Sequence, residues 1–140
     1  MKKFLLGLSL ILCVFTANAQ SEGLKFLTDM TLEQAQAYAT KNEKILLVDV
    51  YATWCGPCKK LAKDVFPNKI VGDALNESFV AIKFDAEAGQ GIEIAKKYQV
   101  KAYPTLILFS DGKELLRMEG APSDPQEFVD YVLAKVLEAE

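Results

Sequence analysis

Apolar residues along the chain form short runs and helical stripes that alternate, which predicts an alternation of strands and helices. The run ILLVDVY is apolar except for one acid, as expected of a strand covered on both faces. Two later runs are separated by SDGK, in which Asp111 and Gly112 form a strong hairpin signal. The predicted strands are 23–27, 45–51, 79–86, 105–109 and 114–118.

Helical spacing of apolar residues predicts a helix in each of the intervening segments and at the end of the chain. The first helix carries a capping-box pattern, because Thr31 is followed by Gln34. The predicted helical segments are 28–42, 58–66, 68–78, 91–100 and a last one that starts at Ser123 or Asp124. Their predicted inward positions are Leu32, Ala35 and Ala39; Leu61, Ala62, Val65 and Phe66; Ile92, Ala95 and Tyr98; and Phe128, Tyr131, Val132 and Val136.

This order of elements predicts an α/β fold with a central mixed β-sheet flanked by helices. The parallel strands come first, and the antiparallel hairpin comes last. Cys55 and Cys58 follow the strand at 45–51 directly. The two cysteines are therefore expected at a junction between a strand and a helix.

Residues 1–19 have the features of a secretory signal. Two lysines precede an apolar run, and an Ala-x-Ala pattern ends at Ala19. An uncleaved anchor is disfavoured because the run is shorter than the roughly 20 residues that span a membrane. A lipid anchor on Cys13 is disfavoured because the bulky Leu12 precedes it. We therefore expect an exported, periplasmic protein with one domain at 20–140.

The charge of the chain argues against a nucleic-acid partner. The formal net charge is −3, and it becomes −5 once the two lysines of the signal are removed. No segment after the signal is long and apolar enough to span a membrane. Composition is therefore typical of an ordinary acidic globular domain.

The number of cysteines limits the possible roles of the pair Cys55 and Cys58. Cys13 leaves with the predicted signal, so the exported domain would hold only Cys55 and Cys58. A structural zinc needs about four ligands, and the chain has no histidine and no second cysteine pair. A disulfide that closes over two residues constrains the unfolded chain little. A redox role is therefore favoured over a zinc site or a structural staple.

The residues around this pair resemble the thioredoxin family. WCGPC at 54–58 is the thioredoxin active-site motif, and the match extends over VDVYATWCGPCK at 48–59. KKYQVKAYPTLILFSDGKE at 96–114 is similar to the segment with the family's cis-proline and final hairpin, and EGA at 119–121 fits the glycine that follows. The resemblance covers nearly all of residues 24–137, and it implies the thioredoxin fold and thiol:disulfide exchange.

The resemblance also implies roles for the motif residues. Cys55 would be the nucleophile, with a partly exposed sulfur at a helix start where free N–H groups favour the thiolate. Cys58, buried one turn later, would be the resolving thiol. Gly56 and Pro57 would set the tight entry into the helix and lie on the substrate surface. The Cys55–Cys58 disulfide would be the redox-active group, with no metal and no other cofactor.

Asp49 matches the buried acid of the family. Burial would raise its pKa and let it exchange a proton with Cys58. The alternative is an aspartate at the edge of the sheet that reaches solvent. The apolar run around Asp49 favours the buried acid, because unpaired acids are rarely placed in such runs.

Further residues would form the substrate surface. Tyr103 and Pro104 match the cis-proline loop, which offers backbone groups to an extended substrate, although an ordinary trans proline is the commoner arrangement. Gly120 matches the glycine after the hairpin. Trp54 would shield and orient the dithiol, and a buried packing aromatic is the alternative.

The chain departs from thioredoxin at several positions. Tyr51 replaces a tryptophan and Tyr103 replaces an isoleucine, and both flank the substrate surface. Lys63 stands where thioredoxin has a proline inside the helix. Lys83 is the candidate to replace a lysine near the buried acid. The segment 85–98 is about four residues longer than in thioredoxin and looks closer to exported thioredoxin-like domains.

These features predict an exported, monomeric thioredoxin-like oxidoreductase that reduces protein disulfides. Strong oxidants of this fold commonly have a histidine between the cysteines, where its charge stabilises the thiolate. This chain has Gly56 and Pro57 there instead, which favours a reductase. The expected partners are disulfide-containing proteins and a membrane electron donor. The alternatives are a disulfide oxidase or isomerase, an assembly module that delivers reduced cysteines for metal or haem attachment, and glutathione-dependent chemistry.

Overall fold

The computed structural model describes residues 22–139, and the predicted signal at 1–19 lies outside the described residues. The helices are α1 (Leu32–Lys41), α2 (Gly56–Lys60), α3 (Lys69–Leu75), α4 (Gln90–Lys97) and α5 (Pro125–Ala139), with a π-helical turn (Leu61–Val65) that continues α2. The strands are β1 (Ile45–Tyr51), β2 (Phe79–Asp85), β3 (Thr105–Ser110) and β4 (Lys113–Glu119). Within these residues no helix is long and apolar enough to cross a bilayer.

The four strands form one mixed sheet in the order β2-β1-β3-β4. Strand β1 pairs in parallel with β2 and antiparallel with β3, and β3 and β4 form the hairpin. Asp111 and Gly112 join the hairpin strands with positive φ angles of 49° and 72°, as a tight turn between twisted strands requires. The predicted mixed sheet is confirmed, and β1 lies in its interior.

The predicted strand at 23–27 is wrong. This segment makes a single parallel bridge, from Phe26 to Ala81, at the edge of β2. Ala81 bonds to the backbone of Lys25 and Leu27 at this bridge. Nearer the start, the N–H of Leu24 donates to the carbonyl of Phe66, and Asn76 accepts from the N–H of Lys25 and donates to the carbonyl of Gly23. Because the N–H groups of Leu24 and Lys25 bond to Phe66 and Asn76 rather than to β2, the segment pairs with β2 at one position without becoming a full strand.

The first helix forms as its sequence predicts. The Thr31 hydroxyl accepts from the N–H of Gln34, and the Gln34 side chain accepts from the N–H of Thr31. These reciprocal bonds satisfy N–H groups that the helix itself leaves free. Leu32, Ala35 and Ala39 are all buried, so the predicted face is confirmed.

Side chains of β1 alternate between two apolar layers, because successive residues of a strand point to opposite faces. Leu46, Val48 and Val50 pack on the layer that includes α1 and α4. Leu47 packs on the other layer, with residues of the π-helical turn, α3 and α5. Phe128, Val132 and Val136 of α5 are buried there as predicted, with Tyr131 partly buried against them.

Two predicted inward positions are wrong, and a local backbone feature explains each. Ala62 is exposed, because the π-helical turn contains more residues than an α-helical turn and its face rotates. Ile92 is 53 % exposed. Gly91 lies against the carbonyl of Asp85 and turns α4 so that Ile94 is buried in its place.

Replacing Gly91 with alanine tests this close approach. A Cβ at this position would lie 1.7 Å from the carbonyl oxygen of Asp85, so the backbone must shift. We expect Gly91→Ala to lower the free energy of unfolding by about 1–3 kcal/mol, although alanine favours helices by about 1 kcal/mol over glycine. Denaturant unfolding measures the change.

Gly56→Ala is the matched control, because a Cβ there would meet nothing within 4 Å. Its free energy of unfolding should stay close to that of the unmodified protein. Equal stability of the Gly91→Ala variant and the unmodified protein would contradict the close packing of α4 on the end of β2.

Candidate redox site

The two cysteines are joined in a disulfide where β1 leads into α2. Cys55 is the N-cap of the helix, and its N–H donates to the carbonyl of Ala52 in the preceding turn. The Sγ of Cys55 accepts a hydrogen bond from the N–H of Cys58 at 3.2 Å. Pro57 lies in the first turn, where a missing N–H leaves no hydrogen bond unmade.

Both cysteines are buried, with 4 % of Cys55 and 5 % of Cys58 exposed. Little of the surface of Cys55 as a whole is therefore open in this disulfide form, and partial exposure of its sulfur stays a prediction. The two residues pack with Ala52, and the partly buried Tyr51 and Tyr103 lie against them. These aromatic neighbours cover the disulfide.

The peptide bond between Tyr103 and Pro104 is cis, as the resemblance implied. Two hydrogen bonds hold the loop around it. The Thr105 hydroxyl donates to the carbonyl of Ala102 at 2.7 Å, and the N–H of Gly120 donates to the carbonyl of Pro104 at 2.7 Å. The cis-proline loop is thereby fixed to the start of β3 and the end of β4, beside the cysteines.

Trp54 is 64 % exposed, so it is not the buried packing residue of the alternative interpretation. Its ring meets that of Tyr103 edge to face, with 5.9 Å between the ring centroids. Its Nε1–H donates to a carboxylate oxygen of Glu87 at 3.0 Å. Sequence reasoning missed Glu87, and the extra length of the segment 85–98 was the signal that could have found it.

Asp49 lies on the interior strand β1 and is 4 % exposed, which excludes an aspartate at the edge of the sheet. Its Oδ1 is the buried side-chain atom that lacks a hydrogen-bond partner among the described residues. Burial raises the pKa of Asp49 to about 7, and the nearby charge of Lys83 opposes this rise. Lys83 is the direct neighbour of Asp49 across the β1–β2 pair.

A cleft of about 200 Å³ connects this acid to the resolving cysteine. Asp49 and Cys58 both line it, together with Tyr51 and Lys83. A larger groove of about 790 Å³ runs along residues 22–27 and contains neither cysteine. The smaller cleft is therefore the one that bears on the chemistry of the dithiol.

The arrangement has the parts needed for dithiol–disulfide exchange. A helix N-terminus with a backbone donor stabilises a thiolate at Cys55. A second sulfur is within bonding distance, and a carboxyl group whose pKa is near neutral lines the same cleft as that sulfur. A group with such a pKa exchanges protons efficiently at neutral pH.

Comparisons with known proteins agree with this geometry. A profile of the thioredoxin-like domain family matches residues 32–135. A thioredoxin of Echinococcus granulosus is 42 % identical over 86 residues, which are 59 % of this chain and 72 % of that protein. A chloroplastic thioredoxin Y of rice, Oryza sativa subsp. japonica, is 42 % identical over 81 residues, 58 % of this chain. The chain spans less than half of the rice protein, at 45 % of its length.

A solved structure shows the same likeness in three dimensions. The solution structure of a candidate disulphide-isomerase from Bacteroides thetaiotaomicron superposes with a TM-score of 0.70 at 41 % sequence identity. The match covers 84 % of this chain and 97 % of that protein. The likeness therefore extends well beyond the motif at 54–58.

Replacing Asp49 with asparagine tests the burial of the acid. With a folded pKa of about 7 and an ordinary value of 3.8, the folded protein retains a proton between these pH values that the unfolded chain has released. The stability of the protein therefore falls as pH rises from about 4 to about 7 and is level above. The amide of asparagine does not titrate, so we expect Asp49→Asn to be more stable above pH 7, by at most about 4 kcal/mol.

Denaturant unfolding across this pH range measures the difference. Asp64→Asn is the control, because Asp64 is an exposed acid of the π-helical turn, and it should follow the pH dependence of the unmodified protein. A stability difference between Asp49→Asn and the unmodified protein that does not change with pH would contradict the raised pKa.

Proposed function

The chain belongs to the thioredoxin family of thiol:disulfide oxidoreductases, and on that premise we propose that it reduces protein disulfides in the bacterial envelope. The proposal that the protein reduces rather than oxidises its substrates rests on the small number of groups that stabilise a thiolate at Cys55. Among the described residues, the Sγ of Cys55 accepts one backbone hydrogen bond, and no histidine lies between the cysteines. A modestly stabilised thiolate favours a reducing dithiol over an oxidising one.

In the proposed reaction, the Cys55 thiolate of the reduced protein attacks a sulfur of the substrate disulfide. A mixed disulfide forms, and the first substrate sulfur leaves as a thiolate that takes a proton from water. Cys58 then gives its proton to the Asp49 carboxylate and attacks Cys55. The second substrate sulfur leaves as a thiolate that takes a proton from water, the protein keeps the Cys55–Cys58 disulfide, and two electrons have passed to the substrate.

Substrate would lie across the surface made by Trp54, Gly56, Pro57 and the cis-proline loop. Trp54 and Tyr103 present an aromatic surface to it. Backbone groups beside a cis proline suit an extended polypeptide, which pairs with main-chain donors and acceptors. The proposed substrates are therefore exposed disulfides in flexible protein segments.

Repeated turnover in an oxidising compartment requires a supply of electrons. We propose a membrane protein as the electron donor and the 20–140 domain as a monomer that carries electrons from it, with no cofactor besides its own disulfide. The features of residues 1–19 support export, and cleavage after Ala19 is part of the proposal.

Disulfide isomerisation is the second candidate function. It is favoured by the similarity to the Bacteroides thetaiotaomicron protein, whose name describes a disulphide-isomerase. Isomerisation needs attack and release by Cys55 alone, whereas net reduction also needs Cys58. A Cys58→Ser variant therefore separates the two candidates.

We expect Cys58→Ser, produced from the full chain in a bacterium, to accumulate as mixed disulfides between Cys55 and many envelope proteins. Without the resolving thiol, the second step cannot release the substrate. Mass spectrometry of the periplasmic fraction identifies the captured proteins, and the variant in these complexes should begin at Gln20. Purified Cys58→Ser should lose insulin reduction driven by dithiothreitol, which the unmodified protein performs.

Cys55→Ser is the matched control and should capture nothing, because it lacks the attacking thiol. Capture of one or two proteins would instead indicate a dedicated assembly module. Retained refolding of scrambled ribonuclease by Cys58→Ser, without insulin reduction by the unmodified protein, would favour the isomerase.

A further inference from the structure

A polar group of four side chains interrupts the apolar sheet face beneath α2. Asp49 and Tyr51 are two residues apart on β1 and therefore point to the same face. The parallel register places Lys83 beside Asp49 and Asp85 beside Tyr51. Two residues earlier on each strand, the same face carries the pair Leu47 and Ala81, which is fully buried in the apolar core. The polar side chains thus occupy the end of the sheet that lies next to the cysteines.

The cleft of about 200 Å³ lies at this polar group. Its walls come from three elements: Asp49 and Tyr51 of β1, Lys83 of β2, and Cys58 and Lys59 of α2, with Ala52, Thr53 and Ala62 completing them. The volume is enough for several water molecules, each of which takes about 30 Å³ in liquid water. The unpartnered Oδ1 of Asp49 is the kind of buried polar atom that such water hydrates.

Of the residues that form or flank the proposed substrate surface, Tyr51 alone lines the cleft. None of Trp54, Tyr103, Pro104 and Gly120 lines it. A polypeptide lying over the cis-proline loop would therefore leave the cleft open. A proton released during the second step has a route to solvent that does not cross the bound substrate.

Tyr51 lines the cleft two residues after Asp49, and the sheet register places it beside Asp85, which does not itself line the cleft. Tyr51 is partly buried, and burial together with the charges of Asp85 and Asp49 raises the pKa of its hydroxyl. The phenol therefore stays protonated at neutral pH and can donate a hydrogen bond. Among the described residues no direct hydrogen bond joins it to either acid, and the cleft of about 200 Å³ has room for water that could bridge Tyr51 and Asp49.

We propose that this cleft is the proton exit of the resolving step and that Tyr51 relays the proton from Asp49 to Asp85 and solvent. Tyr51 acts through Asp49, because it passes on the proton that Asp49 has accepted and reacts with neither sulfur. The inference deepens the proposed function and rests on it for the role of the resolving step. It also assigns a role in proton transfer to Tyr51, which stands where thioredoxin has a tryptophan.

The relay moves one proton equivalent outward in four transfers, of which the second and third are concerted. Cys58 loses its thiol proton to the Asp49 carboxylate and becomes the thiolate that attacks Cys55. The protonated Asp49 passes a proton through water to the Tyr51 oxygen while the Tyr51 hydroxyl proton moves toward the Asp85 carboxylate. Asp85 releases a proton to solvent, so that Asp49, Tyr51 and Asp85 all return to their starting forms.

Two lysines, Lys59 and Lys83, line the same cleft and add positive charge to it. Lys83 favours the ionised form of Asp49, and it is exposed enough to remain solvated. Lys59 lies on the helical wall beside Cys58. These cations limit the energetic cost of a negative charge in the cleft while the proton moves outward.

Stopped-flow reaction of the reduced protein with 5,5′-dithiobis(2-nitrobenzoate) tests the relay. The first nitrobenzoate thiolate is released when Cys55 attacks, and the second is released when Cys58 resolves the mixed disulfide. We expect Tyr51→Phe to leave the first release unchanged and to slow the second about tenfold, less than the 100-fold or more that loss of a directly positioned base costs. Asp85→Asn should also slow the second release.

Chemical rescue gives a readout that a merely structural role would not move. In the unmodified protein the second release should accelerate as pH rises through about 7, because Asp49 must be ionised to accept the proton. In Tyr51→Phe the second release should also accelerate with added imidazole at constant pH and ionic strength, because a small base can carry the proton in the open cleft. The unmodified protein should not respond to imidazole.

Tyr38→Phe is the control, because Tyr38 is a half-exposed tyrosine of α1 that does not line the cleft. It should retain both release rates. A second release in Tyr51→Phe with the rate and pH profile of the unmodified protein would overturn the proposal, as would equal slowing of both releases.

This outcome can be distinguished from failure of the proposed function. The release assay uses a small aromatic disulfide and needs only the dithiol. If the unmodified protein does not reduce insulin, the proposed function fails, while the two releases still report on the relay. If it reduces insulin and Tyr51→Phe shows no slower second release, the relay alone fails.

Discussion

The hydrogen bond from the N–H of Cys58 to the sulfur of Cys55 is the interaction on which the rest of the site depends. It exists because Cys55 caps the helix, so that its side chain takes the place of a capping oxygen. The same bond favours negative charge on Cys55, since an N–H group is a better partner for a thiolate than for a thiol. Fold and reactivity thus share one contact.

The sheet holds this contact in place from below. β1 is paired on both sides, so its end cannot shift without breaking two ladders. The cis-proline loop is tied to Gly120 on one side of the cysteines, and Asp49 lies in the sheet on the other. Burial of Asp49 lowers the stability of the folded protein when the carboxylate is ionised. It also raises the pKa of Asp49 to about 7, so that the resolving thiol has a proton acceptor that works near neutral pH.

The sequence predicted the elements that depend on local rules. The apolar run of β1, the turn at Asp111 and Gly112 and the capping box at Thr31 all require only neighbouring residues, and all are present. The predictions failed where distant backbone decides the outcome. Bonds to Phe66 and Asn76 limit the pairing of 23–27 with β2 to one bridge, and the approach of Gly91 to Asp85 turns α4.

The site shows the same division. The motif at 54–58 and the position of Asp49 could be predicted from sequence, because a fixed spacing and an acid in an apolar run carry the signal. The coverage of Cys55 by Tyr51 and Tyr103, and the bond from Trp54 to Glu87, could not. Tyr103 and Glu87 come from segments far from the motif in sequence, and the extra length of 85–98 indicated an additional loop without indicating its contact.

The equilibrium reduction potential of the Cys55–Cys58 pair tests the account most directly. The proposed reductase relies on a thiolate that is only modestly stabilised, so the disulfide should be hard to reduce. Equilibration with glutathione redox buffers, followed by alkylation and mass measurement, should place the potential near the value of about −270 mV that is typical of thioredoxin. A potential near the value of about −120 mV found for the strongest oxidants of this fold would contradict the account.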